Sequence, residues 1–158
     1  MGLRQIRMNG DEILRKKAKP VKEINANIIT LLDDMRETLA ERNGVGLAAP
    51  QVGVLRRIAI VDHEEQFYEM INPVIIESEG TQSCDEACLS VPGYHGDIDR
   101  PMSITVEALN RDGESFTVTA EEYLASVFCH ELDHLDGILY TDNATNIRVI
   151  EKEEDEDE

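Results

Sequence analysis

Ala120-Glu121-Glu122-Tyr123-Leu124-Ala125-Ser126-Val127-Phe128-Cys129-His130-Glu131-Leu132-Asp133-His134-Leu135-Asp136 is the stretch that decides the fold. It contains neither Gly nor Pro, and Gly137 follows where a helix would stop. Thr119 and Glu122 have the spacing of a capping box, which predicts the start of a helix. Within it, His130 and His134 are four residues apart, so both imidazoles leave one helical face and can reach one metal ion. Glu131 lies about 100° round the axis from His130. From there its carboxylate flanks the ion and can hold a proton of a water molecule without being a ligand. Asp133 reads equally as a partner for a histidine or as a solvated charge.

A third protein ligand has to come from elsewhere. The longer zinc-protease pattern HExxHxxGxxH places a histidine three residues after Gly137, but that position is Tyr140. Nothing after Tyr140 resembles a second ordered helix that could present a ligand. Upstream, Cys84, Cys88, His63 and His95 remain. Cys129 adjoins His130 and so points off the metal face, as a packed thiol. The chemistry favours a thiolate from the Cys84–Cys88 region without choosing between them. Two histidines, one thiolate and a water in the fourth place make a sound hydrolytic site.

Working outward, Ile28, Leu31, Leu32, Met35 and Leu39 recur at the spacing of an amphipathic helix, with Asn25 or Asn27 as its cap and Asn43-Gly44 as its end. Residues 44–53, rich in glycine and alanine, read as a loop where backbone passes close to something. Residues 57–61 and 68–76 read as strands, and Pro92-Gly93 as part of a turn-rich stretch. Residues 103–109 and 115–119 read as a hairpin joined across Asp112-Gly113. These elements make one α+β domain over residues 1–150.

The 158-residue chain carries 15 Lys and Arg against 33 Asp and Glu, a net charge of −18. That argues against nucleic acid or an anionic membrane as the main partner. Residues 151–158 hold one Lys and seven acids and read as an acidic, disordered tail. The opposite sign gathers at Arg15, Lys16, Lys17, Lys19 and Lys22, read as a solvated face. No apolar run approaches the roughly eighteen residues that cross a bilayer, and the first residues lack the apolar stretch of a signal peptide. The expected location is the cytoplasm, where the three cysteines are free thiols or metal ligands.

Three stretches occur in a telling order: Gly44-Val45-Gly46-Leu47-Ala48-Ala49-Pro50-Gln51, Glu86-Ala87-Cys88-Leu89-Ser90 and His130-Glu131-Leu132-Asp133-His134. With them the chain resembles the bacterial-type peptide deformylases, whose signatures have the forms GxGLAAxQ, EGCLS and HExDH. The resemblance runs from Ile6 to about Tyr140 and includes Ile13-Leu14-Arg15-Lys16-Lys17-Ala18 and Val91-Pro92-Gly93. It implies mainly antiparallel sheets packed around a central C-terminal HExxH helix, with an N-terminal helix. It implies a hydrolase of N-terminal processing in protein biosynthesis, which removes the formyl group from N-formylmethionyl peptides and nascent chains and releases formate.

By position, the resemblance selects Cys88 over Cys84 as the ligand beside His130 and His134. It makes Glu131 the general base and then the general acid. Gln51 and the backbone N–H of Leu89 become donors to the developing oxyanion, and Val45, Gly46 and Ala87 hold the peptide through backbone groups. Tyr123 and Val127 share the helical face of the two histidines and are candidate walls for the methionine side chain. The family resemblance implies Fe(II) as the working divalent ion, while the donor set also suits zinc, nickel or cobalt.

Two features depart from the pattern. Ala87 stands where the family usually has glycine, which costs little if that backbone is extended. Some members dock on the ribosome through a basic C-terminal extension; this chain ends in the opposite charge, so ribosome proximity is not readable from these residues. Two alternatives remain at this point. An HExxH metallopeptidase would need a cleft open on both sides of the metal and usually a downstream ligand. A non-catalytic metal-binding homologue would have no use for intact Glu131 and Gln51.

Overall fold

The computed structural model describes residues 2–150; the tail expected at 151–158 lies outside them. Helix α1 (Ala26–Glu41) begins where Asn25 Oδ1 accepts the N–H of Ile28 at 3.1 Å. It ends where the Arg42 N–H returns to the carbonyls of Thr38 and Leu39 and Asn43 turns left-handed at φ 54°. Among the described residues there are eight strands: β1 (Gly46–Ala48), β2 (Ile58–His63), β3 (Gln66–Glu79), β4 (Gln82–Cys88), β5 (Val91–Arg100), β6 (Ser103–Leu109), β7 (Ser115–Glu121) and β8 (Thr145–Val149). Helix α2 (Glu122–Leu135) lies between β7 and β8. One antiparallel sheet has the order β1-β2-β3-β6-β7 and the other β4-β5-β8.

Alternation along the strands positions both helices. Leu47, Ile58, Ile60 and Ile71 pack with Leu31, Leu32 and Met35 of α1. Their neighbours Ala48, Ala59, Val61 and Met70 pack with Phe128 and Leu132 of α2. The two helices therefore cover opposite faces of the larger sheet, and β2 reads as a continuous apolar run because both its faces are buried. A third cluster, of Leu14, Val91, Ile98, Leu139 and Tyr140, lies beneath the smaller sheet.

Several local expectations are corrected. Thr119 does not cap α2; it lies in β7, hydroxyl to hydroxyl with Thr105 at 2.9 Å. The ladder with β6 continues to the Ser103–Glu121 pair, so strand pairing extends past the expected cap and Glu121 precedes the helix without a side-chain cap bond. Residues 46–48 of the supposed loop are paired with β2, and Ala49–Val52 form a 3₁₀ turn. Pro92 and Gly93 belong to β5, where the Gly93 carbonyl accepts the Ile150 N–H at 2.9 Å. Strand β8 was not legible at all, because its partner β5 is about fifty residues away.

Gly137 is needed at the end of α2. Its φ is +78°, and a Cβ there would lie 2.5 Å from the Arg15 carbonyl oxygen. Arg57 secures the same end, donating to the Leu135 carbonyl at 2.9 Å and pairing with Asp136 at 3.0 Å. Gly137→Ala is expected to cost at least about 1 kcal/mol, lowering the urea midpoint with an unchanged m-value. An unaltered midpoint would show that the Arg15 backbone yields freely.

Candidate metal centre and active-site cavity

Strand β4 lies along helix α2 so that alternate strand residues meet every fourth helical residue. Cys84 lies beside Ser126, Glu86 accepts from His130 Nδ1 at 2.9 Å, and Cys88 Sγ lies 3.4 Å from His134 Nε2. One donor atom each from Cys88, His130 and His134 falls within 4.8 Å of the others. A tetrahedral ion with nitrogen and sulfur ligands at about 2.0–2.3 Å sets its donors roughly 3.3–3.8 Å apart. The three groups fit such an ion with small adjustments. Cys84 is excluded from the group, and the thiol of Cys129 is buried in the core beside Phe128. His95 is bound to Asp85 at 2.7 Å, and His63 packs near the ring of Tyr123, so neither joins the cluster.

Behind the histidines stands a buried charged network that the sequence did not reveal. Arg100 holds Glu86 through two bonds of 2.9 Å and Asp133 through one of 2.7 Å. Asp133 is thus neither a histidine partner nor a free charge; it holds the arginine that holds Glu86. Burial opposes the charge on Glu86, but the bonds from Arg100 and His130 bring its pKa below the usual value. Burial likewise opposes a charge on His130, yet bonds to Cys88 and Glu86 hold its pKa well above normal. His134 is pushed well below normal, first by burial and then by the charge on His130. Tyr140, at the position of the missing third histidine, stacks on His130 with ring centroids 5.9 Å apart.

Glu131 is 4% exposed, and burial pushes its pKa up to about 7, with His130 working against the rise. Its Oε1 is buried with no hydrogen-bond partner among the described residues. A Cβ on Gly46 would lie only 2.5 Å from Glu131 Oε2 and 2.9 Å from its Cδ, so glycine lets β1 pass this close to the carboxylate. Gln51 is 1% exposed and its amide is oriented at both ends. Oε1 accepts the Ala48 N–H at 3.0 Å, while Nε2 donates to Ser90 Oγ at 3.0 Å and faces Cys88 Sγ at 3.7 Å. Ser90, Glu86 and Arg100 went unassigned in the sequence. The one available signal was that Glu86, two residues from Cys88, shares its strand face.

These groups open onto a cavity of about 380 Å³ whose lining includes Val45, Gly46, Ala87, Leu89, Tyr123 and Val127. Val127 is buried, whereas Tyr123 is 51% exposed and forms the mouth rather than a deep wall. Ala87 is in strand β4 and absent from the positive-φ residues, so its methyl causes no backbone strain. Strands β1 and β4 are outer strands of their sheets, and both border the cavity.

Residues 3–149 match the sequence model of the polypeptide deformylase family. A peptide deformylase of Acetivibrio thermocellus is 55% identical over 154 residues, covering 98% of this chain and 89% of that one. The crystal structure of peptide deformylase from Thermotoga maritima superimposes with a TM-score of 0.89 at 40% identity, over 92% of this chain and 99% of that one. One from Legionella pneumophila gives 0.88 at 40% identity, over 91% and 87%.

The role of Glu86 can be read from metal affinity. Glu86→Gln is expected to weaken binding about 10–100-fold, measured by competition with a chromogenic chelator. Unchanged affinity would mean that stacking on Tyr140 alone orients the His130 ring.

Proposed function

The chain belongs to the polypeptide deformylase family, and from that premise we propose how its own residues remove the formyl group from the N-terminal formylmethionine of nascent proteins. The family is metal-dependent, and Cys88, His130 and His134 would hold the ion here, with Fe(II) as the working metal. When bound, such an ion polarises a carbonyl and lowers the pKa of water to about 7. The observation that carries the reading is the convergence of those three donors beside the buried, unpartnered Oε1 of Glu131.

The formylated terminus enters the cavity between β1 and β4, adding a strand through the backbone of Val45, Gly46 and Ala87. Glu131 accepts the proton of the attacking water and delivers it to the amine nitrogen as the C–N bond breaks. Burial suits it to both halves of that transfer. The Gln51 amide keeps one N–H on Ser90 and turns the other, with the Leu89 N–H, toward the formyl oxygen. Val127 supports the methionine side chain from inside and Tyr123 from the mouth. Residues 1–150 act as one catalytic domain in this reading, and the nascent substrate assigns the reaction to the cytoplasm.

The test is formate release from formyl-Met-Ala-Ser by protein prepared without oxygen. Glu131→Gln is expected to lose at least about 100-fold in kcat, and Gln51→Leu about 10²–10³, with the metal content of both retained. Near-wild-type turnover by Glu131→Gln would remove the proton carrier from this scheme.

A further inference from the structure

The reacting end of the cavity is marked by Gly46 against Glu131. From Gly46 the chain runs back through Val45 and Gly44 along the cavity wall to Arg42, the one Lys or Arg among the lining residues. Arg42 is exposed, and its backbone is anchored by the end of α1, its N–H bonded to Thr38 and Leu39. Among the described residues no carboxylate pairs with its guanidinium. Arg4, Arg57, Arg100, Arg111 and Arg148 are each held by at least one. The rim thus carries an uncommitted cation at a fixed place relative to the chemistry.

A peptide strand lying antiparallel to this wall advances about 3.3 Å per residue. With the formyl carbon beside Glu131, its methionine lies against Gly46 and Val45 and its second residue against Gly44. There the wall turns back into α1 at Asn43 (φ 54°), so the third residue passes this turn, where the long, exposed side chain of Arg42 stands on the rim. We propose that Arg42 is a specificity determinant that favours substrates with an acidic side chain at the third residue and disfavours basic ones. The proposal rests on the deformylase reading and on the strand addition described above. Because the contact is made at the rim, away from the reacting bond, it acts on binding and appears in KM rather than kcat.

The experiment compares formyl-Met-Ala-Glu-amide with formyl-Met-Ala-Lys-amide on wild type, Arg42→Lys, Arg42→Gln and Arg42→Glu. Amidation removes the terminal carboxylate, and charges elsewhere are common to all four proteins. The ratio of kcat/KM, Glu peptide over Lys peptide, is expected to fall about two- to fivefold in Arg42→Gln, as for an exposed ion pair. It falls further in Arg42→Glu and is kept in Arg42→Lys, with the differences carried by KM and shrinking at about 0.5 M salt. Equal ratios in wild type, Arg42→Gln and Arg42→Glu, with formyl-Met-Ala-Ser-amide still turned over, overturn the role of Arg42 alone. Failure of wild type to release formate from that neutral peptide overturns the reaction, and this proposal with it.

Discussion

The pairing of strand β4 with helix α2 sets the geometry on which the centre depends. Two residues of a strand advance about 6.6 Å and four residues of a helix about 6.0 Å, so the two repeats stay matched over three successive pairs. Cys84 meets Ser126, Glu86 meets His130, and Cys88 meets His134. The middle pair orients a ring and the last brings sulfur and nitrogen together. A slip of one residue in β4 would turn all three side chains to the other face. The ladder between β4 and β5 holds that register, with an irregularity between Glu86 and Cys88 next to the cavity.

The approach of α2 to the larger sheet is a matter of side-chain volume. Ala48 and Ala59 face the helix where the opposite face of the same strands carries Leu47, Ile58 and Ile60. Gly46 continues this series of small residues, and at its position the carboxylate of Glu131 occupies the space a methyl would take. The helix can therefore lie near enough to β1 for an acid to stand at the border of a sheet edge. An edge strand is a hazard when exposed and an asset when it has a peptide to bind.

The charges of the site are costly to bury and are compensated locally. Arg100 stands between Glu86 and Asp133, so the carboxylate that supports His130 is itself held from behind. Such a buried network adds little to stability compared with apolar packing of the same volume, while losing one member leaves an uncompensated charge. Its use here is orientation: His130 is held by Glu86 on one side and by the ring of Tyr140 across its face. His134 has no such support at Nδ1, which is buried without a partner among the described residues.

The local signals in the sequence determined what depends on near neighbours. The four-residue spacing of His130 and His134, the position of Glu131 beside them, the cap at Asn25 and the hairpin across Asp112-Gly113 are all properties of a few consecutive residues. Tertiary structure decided the rest. Cys84 and Cys88 share a strand face, so spacing alone could not choose between them, and only the resemblance favoured Cys88; the packing brings the Cys88 sulfur to 3.4 Å from His134 Nε2. Thr119 has the right spacing for a cap but was taken into β7 by its partner β6, and β8 exists because β5 offers it an edge. Glu86 and Arg100 became a support for His130 only once β4, β5 and α2 were packed together, because hydrogen bonds between elements depend on a register that no single segment encodes.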